Sequence, residues 1–375
     1  MVVQVSSFLH WHLKIFQVLG FCFENIGSDN VNRKRWSYLW PCFLMIAFNV
    51  VALMSLCNSE VVFFANDSFG FFNDVLKVVA ADIAVTISYM ESILKRSSCH
   101  KFWSIYCKLQ EQKWEWTNWQ EELRENFRFA IMFYTFIICE ALVLLILAIA
   151  YPFQLFWSIY FPFIIVIHLR NMQVIFHVEL IRLELLKLRD DLIRMADYSK
   201  FLAQGKGFRG LENFFHFKIV EKQRNYQMIY EMYEHFQNTF GFSICAVLLM
   251  IYVRILVDSY FGYYNVYHGS ITFEIFVVTP AFMQIPMFLI SSKCCMDVVK
   301  SITLNLHGII SQFNDQNIII STQLQNFSLQ ILHQEIIING IGISRMDGYM
   351  LTRVIGSITT YMIFFIQFMP KFSNV

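Results

Sequence analysis

Several ionisable side chains lie inside long apolar runs of this sequence, where a charge is costly unless it is paired or hydrated. Lys77 follows Asp74 by three residues, and Arg254 precedes Asp258 by four. In a helix these spacings bring two side chains together on one face, so that an ion pair can form. We therefore expect each of the two cations to be neutralised within its own helix.

Glu140 and Asp82 have no oppositely charged neighbour at helical spacing. Three roles are open for them: pairing with a cation on another helix, contact with a ligand, or a neutral form in a pocket. His168 is interpreted as a hydrogen-bonded structural histidine. The sequence contains no metal-ligand spacing, phosphate loop or nucleophile elbow, so we expect no enzyme, no metal site and no cofactor.

The last apolar run of the chain has a polar face. At about 100° per residue, five positions fall on one stripe of a helix: Thr352, Gly356, Thr360, Ile363 and Gln367. Small residues and hydroxyls in such a stripe can mediate close helix–helix packing. Alternatively, the stripe lines a water-filled path, in which polar groups stay hydrated. One helix cannot enclose a path, so this second explanation requires several subunits around an axis.

The elements that carry these residues are membrane helices. Of the 375 residues, 57% are hydrophobic and 15% are charged, with a mean hydropathy of +0.48, whereas soluble domains have about 25% charged residues. Apolar runs long enough to cross a bilayer recur, which predicts an all-α polytopic membrane protein. The seven predicted spans are Trp36–Cys57, Gly70–Leu94, Phe127–Ala150, Trp157–Phe176, Thr239–Tyr260, Ile271–Ser292 and Met350–Pro370.

Lysine and arginine are distributed unequally between the two sides of these spans. The segments 1–35, 95–125, 170–238 and 293–350 hold 24 of them, whereas the segments on the opposite side hold Lys371 alone. Because positively charged loops stay in the cytoplasm, the N-terminus is predicted inside and the C-terminus outside. The sequon at Asn66 then lies in an outer loop and is a glycosylation candidate, whereas the sequon at Asn326 lies inside.

The spans divide the chain into seven parts. Charged, amphipathic helices are predicted outside the membrane, and they pack either within their own subunit or at a subunit interface. The first part has aromatic residues that indicate a packed or interfacial helix. The parts are 1–35, cytoplasmic; 36–178, spans one to four; 179–238, cytoplasmic helical extensions; 239–292, spans five and six; 293–349, a cytoplasmic anchor helix and linker; 350–370, span seven; and 371–375, an extracellular tail.

The end of the last span carries the most specific motif. Thr360-Tyr361, five mostly hydrophobic residues and Gln367-Phe368 resemble the TYhhhhhQF signature that closes the last helix of insect gustatory receptors. Seven spans, an inside N-terminus, long cytoplasmic extensions and a short tail agree with that family. The resemblance implies a tetrameric, ligand-gated, non-selective cation channel, homomeric or heteromeric, in the plasma membrane of sensory neurons.

The resemblance also assigns roles within the tetramer. The last helices of four subunits line the pore, the intracellular extensions hold the tetramer together, and Gln367 and Phe368 lie at the narrow extracellular-side constriction. Adjacent residues of a helix differ by about 100° in direction, so these two cannot both face the axis fully. Our hypothesis is a gate in which a modest rotation exchanges the apolar edge of Phe364 and Phe368 for the edge of Ile363 and Gln367.

A ligand that enters from outside would bind between the outer halves of spans two to six. Aromatic side chains with a few polar groups suit a small organic molecule there, although aromatic residues at span ends are also ordinary interfacial anchors. The candidates are Phe71, Lys77, Glu140, Trp157, Tyr160, Phe161, Tyr252, Arg254, Glu274 and Phe276. In gustatory receptors that sense sugars an acidic residue tends to follow the TY pair, whereas Met362 stands here. The resemblance therefore favours a bitter or other non-sugar tastant.

Three alternatives remain open. An odorant-receptor-type channel subunit shares the architecture but needs a partner subunit. A G-protein-coupled receptor has the opposite orientation and an N-P-x-x-Y motif in its last helix, which this sequence lacks. A secondary transporter has internal repeats and broken helices near the bilayer centre, and the sequence shows neither. Besides a small molecule and membrane lipid we expect no nucleic acid as a partner, because no basic cluster with interleaved aromatic residues is present.

Overall fold

In the computed structural model the described residues are 7–21, 31–57, 68–111, 119–150, 155–203, 209–267, 278–313, 318–340, 344–346 and 348–368. They form helices and one small sheet. The helices are α1 (Ser7–Val18), α2 (Val31–Cys57), α3 (Ser68–Leu94), α4 (Arg96–Glu111), α5 (Trp119–Ala150), α6 (Leu155–Ala203), α7 (Arg209–Tyr267), α8 (Thr279–Phe313), α9 (Ile318–His333) and α10 (Gly348–Phe368). The strands are β1 (Asn339–Gly340) and β2 (Ser344–Arg345).

The seven predicted spans fall on seven long helices: α2, α3, α5, α6, α7, α8 and α10. The start of the sixth span, 271–277, lies outside the described residues. Among the described residues, five helices hold stretches long and apolar enough to cross a membrane by length and composition: Tyr38–Cys57, Asn126–Ile149, Ser158–Tyr198, Asn213–Tyr263 and Thr279–Ser311. The predicted all-α architecture is confirmed, apart from the two short strands.

Two helices extend far beyond a bilayer. α6 has 49 residues and α7 has 59, so that α6 alone is roughly 74 Å long, compared with a hydrocarbon core of about 30 Å. Lys222 on α7 donates to Asp191 on α6 at 2.7 Å. These two residues are about equally far from the connection between the helices, so the extensions run antiparallel. Leu188 and Leu192 are buried, and this face of the α6 extension therefore packs within its own subunit.

α6 runs through the centre of the bundle and contacts α3, α5, α7 and α8. Most of its residues between 160 and 188 are buried. Its polar side chains are therefore held inside the protein and bonded to other elements. Asn171, for example, donates to Gln284 on α8 at 3.2 Å, and Gln173 donates to the carbonyl of Phe21 at 3.2 Å.

α1 packs against α5 and α6, as one of the two alternatives for the first segment predicts. His12 is fully buried and lies among the rings of Phe129, Phe133 and Phe176, with ring centroids 4.8 to 6.1 Å away. Phe16, one turn later, is also buried. The first segment is thus part of the core of the helix bundle.

A short hairpin precedes α10. β1 and β2 pair antiparallel, with Gly340 opposite Ser344. Gly340 lies so close to α7 that a Cβ added there would be 2.5 Å from the sulfur of Cys245. On the other side, Ser292 of α8 donates to the carbonyl of Met346 at 2.7 Å. The hairpin therefore fixes the beginning of α10 against α7 and α8.

Candidate ligand site and last helix

Lys77 on α3 is the centre of a buried ion network. Its ammonium lies 3.0 Å from Asp258 Oδ1 on α7 and 3.5 Å from Asp74 Oδ1 on its own helix. All three side chains are buried. The expected local pair is present, but the shorter contact reaches another helix. The predicted pair of Lys77 with Asp74 is therefore confirmed, and Asp258 is a second, closer partner that was not predicted.

Arg254 on α7 extends the network to α6. Its Nε lies 3.4 Å from Asp258 Oδ2, one helical turn later, and its Nη1 lies 3.1 Å from His168 Nε2. Because a guanidinium only donates, His168 Nε2 must accept this bond. The proton of the imidazole is therefore on Nδ1, from which it is donated to the carboxylate of Glu140 on α5. His168 is thus neutral and hydrogen-bonded through both ring nitrogens, as its structural interpretation requires.

Of the three roles left open for Glu140, the first was pairing with a cation on another helix. Glu140 does have a partner on another helix, but that partner is the neutral His168. Asp82 behaves differently. Its Oδ1 atom is buried and has no hydrogen-bond partner among the described residues. Asp82 lies on α3, two turns after Asp74, and it takes no part in the network around Lys77.

The network carries unequal charge. It contains three carboxylates and two cations, namely Asp74, Glu140, Asp258, Lys77 and Arg254. With His168 neutral, the formal charges of these five described residues sum to minus one. An uncompensated charge inside a membrane protein is expensive. The site therefore favours one further positive charge.

Aromatic rings flank Lys77. Its ammonium lies 5.9 Å from the ring centroid of Tyr160 and 5.5 Å from that of Phe261, within the range of cation–π attraction. Tyr160 was a predicted ligand contact, and it packs against the network. Phe261 was missed by sequence reasoning. Its position three residues after Asp258, on the same helical face, is the signal that would have identified it.

An open cavity of about 330 Å³ adjoins the network between the end of α7 and the start of α8. This volume is at the lower end of the range of about 300–1,000 Å³ found for ligand pockets. Among its lining residues Asp258 carries the charge, and Asp258 thus belongs to both the cavity and the network. The lining consists of Asp258, Ser259, Gly262, Tyr263, Val266, Val278 and Phe282.

Two further predicted ligand contacts, Phe71 and Phe161, are described and do not line this cavity. Phe71 has 40% of its surface exposed. Phe161 is buried in a separate small cluster with Val143 and Leu147. The side chain of Trp157, and Glu274 and Phe276 altogether, lie outside the described residues.

Tyr252 connects the network to the last helix. It precedes Arg254 by two residues on α7, and its hydroxyl lies 2.6 Å from Ser357 Oγ on α10. Sequence reasoning assigned Tyr252 to the ligand pocket. In the structure its side chain connects α7, which carries Arg254 and Asp258, with α10, which carries the polar stripe.

α10 packs on α7 and α8 through one face, which is partly buried at Leu351, Val354, Ser357, Ile358 and Met362. The predicted stripe faces away from the subunit, since Thr352, Gly356, Thr360, Ile363 and Gln367 are all exposed. A Cβ added at Gly356 would meet nothing within 4 Å. Packing within the subunit therefore does not account for the stripe.

Phe364 lies beside the stripe and is half exposed, whereas the side chain of Phe368 lies outside the described part of the helix.

A second buried network, which sequence reasoning did not single out, lies near the other end of α3. The carboxylate of Glu91 accepts hydrogen bonds from the backbone N–H groups of Phe242 and Ser243 at 3.0 and 2.8 Å. It also lies 3.5 Å from Arg170 Nη2, which donates to Ser243 Oγ at 2.9 Å. Glu91 and Arg170 are both ionisable residues within predicted spans, and that signal would have found them. Their contacts join α3, α6 and α7 at a second place along the bundle, apart from the network around Lys77.

Comparisons with known proteins give a consistent result. A sequence model of the family described as 7tm Chemosensory receptor matches residues 9–372. The structure of the insect olfactory receptor OR5 from Machilis hrabei has a TM-score of 0.67 at 13% identity, covering 96% of this chain and 98% of that one. The same receptor in complex with eugenol has a TM-score of 0.64 at 11% identity, covering 96% and 97%. Among curated proteins, none matches this sequence. The two structures show the shared seven-helix fold.

Proposed function

The chain belongs to the 7tm chemosensory receptor family, and we propose that it is a gustatory receptor that acts as a ligand-gated, non-selective cation channel. The observation that carries this proposal is the direction of the polar stripe on α10. The stripe is apolar only at Ile363, and it faces away from its own subunit. Polar groups directed away from a membrane subunit are stable where they meet water or another subunit.

A pore shared by several subunits satisfies this condition. The hydroxyls of Thr359 and Thr360 donate to the carbonyls of Ile355 and Gly356 at 2.9 Å. Their oxygen atoms retain lone pairs that accept bonds from water. The resemblance to gustatory receptors supports four subunits, with Gln367 and Phe368 at the outer constriction of the pore. The N-terminus is then cytoplasmic, and Asn66 lies outside the cell.

The gustatory type is supported by the motif from Thr360 to Phe368 on α10. Met362 follows the tyrosine of that motif, which favours a bitter or other non-sugar compound as the tastant. The structural similarity to an olfactory receptor, at 13% identity, concerns the fold alone. The alternative function is a channel subunit of the odorant-receptor type, which requires a partner subunit, and the experiment below distinguishes it from a gustatory receptor.

Activation is proposed to start at the ion network and to reach the pore through α7. Arg254 and Asp258 belong to the network, and Tyr252 on the same helix is hydrogen-bonded to Ser357 on α10. A ligand that shifts the outer part of α7 thus acts on α10 through a direct contact. Rotation of α10 would then replace the edge of Phe364 by that of Ile363 and Gln367.

Expression of this chain alone in cultured cells, with whole-cell recording during a screen of bitter and other small organic compounds, tests the proposal. We expect an inward cation current that begins as fast as the solution is exchanged. The current should persist when G-protein signalling is blocked. Current that appears only after co-expression of a second receptor subunit would favour the odorant-receptor-type alternative. Ligand-dependent calcium signals that require G proteins, without such a current, would refute the channel.

A further inference from the structure

We propose that the cavity between α7 and α8 binds a small organic cation, with Asp258 as its counter-ion. This inference rests on the proposed function, because it specifies the chemical class of the ligand that opens the channel. It starts from the lining of the cavity. Val266, Val278, Phe282 and the ring of Tyr263 provide apolar and aromatic walls, and Asp258 provides a carboxylate at one side. Such a lining matches an apolar body that carries one positively charged group.

The charge balance behind this wall points in the same direction. His168 is neutral because its Nε2 accepts from Arg254, which leaves the single ring proton on Nδ1 for the bond to Glu140. Among the described residues of this network, three carboxylates are then opposed by two cations, Lys77 and Arg254. A protonated amine bound at Asp258 brings the formal sum to zero, whereas a neutral or anionic ligand leaves it negative or lowers it further. In a buried site this difference favours the cation.

Asp258 retains capacity for a further donor. Its side chain is nearly buried, with 6% of the surface exposed, and it reaches the cavity at one side. Oδ1 accepts from Lys77 at 3.0 Å, whereas the contact of Oδ2 with Arg254 is long, at 3.4 Å. A carboxylate has about four lone-pair sites. An ammonium in the cavity therefore competes first with the weak Arg254 contact.

This competition provides a link to the pore. Arg254 lies two residues from Tyr252, whose hydroxyl is bonded to Ser357 on α10. A cation that takes over part of Asp258 Oδ2 loosens the tie between Arg254 and its own helix. The outer turns of α7 can then shift against α10. Ligand charge is thus the property that couples binding to opening.

The test uses two compounds of the same size and shape, benzylamine and benzyl alcohol. At neutral pH the first is a cation and the second is uncharged. The full chain is purified in lipid nanodiscs, and binding of each compound is measured by calorimetry. Currents from cells that express the same chain are recorded with both compounds. We expect benzylamine to bind and to open the channel, with benzyl alcohol about ten- to hundredfold weaker, as for loss of a charge-assisted hydrogen bond.

Three variants locate the site. Asp258→Asn removes the counter-ion and is expected to weaken benzylamine binding by about ten- to hundredfold, without affecting benzyl alcohol. Because this variant also removes a partner of Lys77, Val266→Trp provides a second one that fills the cavity and leaves the network intact. Its matched control is Leu249→Trp, at an exposed position of the same helix. We expect Val266→Trp to abolish benzylamine binding and Leu249→Trp to preserve it.

Each result decides for or against the site. Charge-selective binding that is lost in Val266→Trp but not in Leu249→Trp supports it. Equal binding of both compounds, no binding of benzylamine, or binding that Val266→Trp leaves unchanged overturns it. The proposed function is judged separately by the currents. Benzylamine that binds in this cavity without opening a current supports the cation site and refutes its role in opening the channel. Currents that are opened only by neutral compounds support the channel function and refute the cation site.

Discussion

The hydroxyl of Tyr252 on α7 lies 2.6 Å from Ser357 Oγ on α10, across a sequence separation of 105 residues. This hydrogen bond joins the helix that carries Arg254 and Asp258 to the helix whose polar stripe faces away from the subunit. Arg254 lies little more than half a turn beyond Tyr252. Under the proposed function, we expect a displacement at the ion network to be passed to α10 through this short piece of helix.

Tyr252→Phe and Ser357→Ala each remove this bond without removing the ring or the backbone. A net hydrogen bond contributes about 0.5–1.5 kcal/mol, so we expect the half-maximal agonist concentration to shift by about two- to tenfold. The double variant is expected to shift no more than the larger single one, because both substitutions remove the same bond. Dose–response currents measure this. Additive shifts would show that the two residues act independently.

The stripe on α10 is expected to be accessible to water in the assembled channel. Thr352→Cys, Gly356→Cys and Thr360→Cys should each make the current sensitive to a charged, membrane-impermeant thiol reagent. Val354→Cys is the matched control, since Val354 is partly buried on the opposite face. The unsubstituted chain controls for its nine native cysteines. Equal modification at Val354 and at the three stripe positions would exclude a pore formed by this face.

Phe368→Ala is expected to produce a constitutive leak. A phenylalanine at the constriction excludes water from the closed pore, and an alanine leaves the path wide enough to stay wetted. Basal current without ligand should rise several-fold, and the response to ligand should shrink in proportion. If neither basal current nor ligand response changed, the hypothesis of an aromatic gate would be wrong.

Lys77→Met is expected to destabilise the fold strongly, because it leaves Asp258 and Asp74 buried without their shared cation. Removing one partner of a buried ion pair costs about 3–5 kcal/mol. Lys300→Met is the matched control, since Lys300 is 76% exposed and lies 3.8 Å from the exposed Asp297. Exposed pairs contribute little. Thermal unfolding of the purified variants should show a lowered midpoint for Lys77→Met alone.

The predicted orientation is tested by glycosylation. If the N-terminus is cytoplasmic, treatment of the chain expressed in cells with an endoglycosidase should lower its apparent mass, and Asn66→Gln should abolish that shift. Asn326→Gln should have no effect, although Asn326 is exposed on α9, because that sequon would lie in the cytoplasm. Glycosylation at Asn326 would show that the chain has the opposite orientation.

Hydropathy predicts the helices well, because spanning a bilayer imposes a length and a composition that local sequence records directly. Within the described residues the seven predicted spans coincide with helices, and the predicted membership in an insect chemoreceptor family is confirmed by the family match over residues 9–372. The hairpin before α10 was not predicted. Its two-residue strands carry no periodic pattern, and its place depends on the fit of Gly340 against Cys245.

The candidate site was predicted in part. Helical spacing identified Asp74 beside Lys77 and Asp258 beside Arg254, because such pairs depend on residues three or four apart. It could not identify the contact of Lys77 with Asp258, which are 181 residues apart. The bond between Glu140 and His168 was equally hidden, since it depends on how α5 packs against α6. Charge inside an apolar run shows that a partner is needed, but the partner is decided by tertiary packing.

The separation between Lys77 and Asp258 also has a consequence for biosynthesis. At about 5–20 residues per second, the ribosome needs roughly 10 to 40 seconds to make the 181 positions between them. During that time α3 is already available for insertion, and its lysine does not yet have Asp258 as a counter-charge. We therefore expect the nascent chain to depend on the translocation machinery or on a chaperone until α7 emerges. Truncated chains that end before residue 258 should accordingly be degraded rather than accumulate as stable membrane fragments.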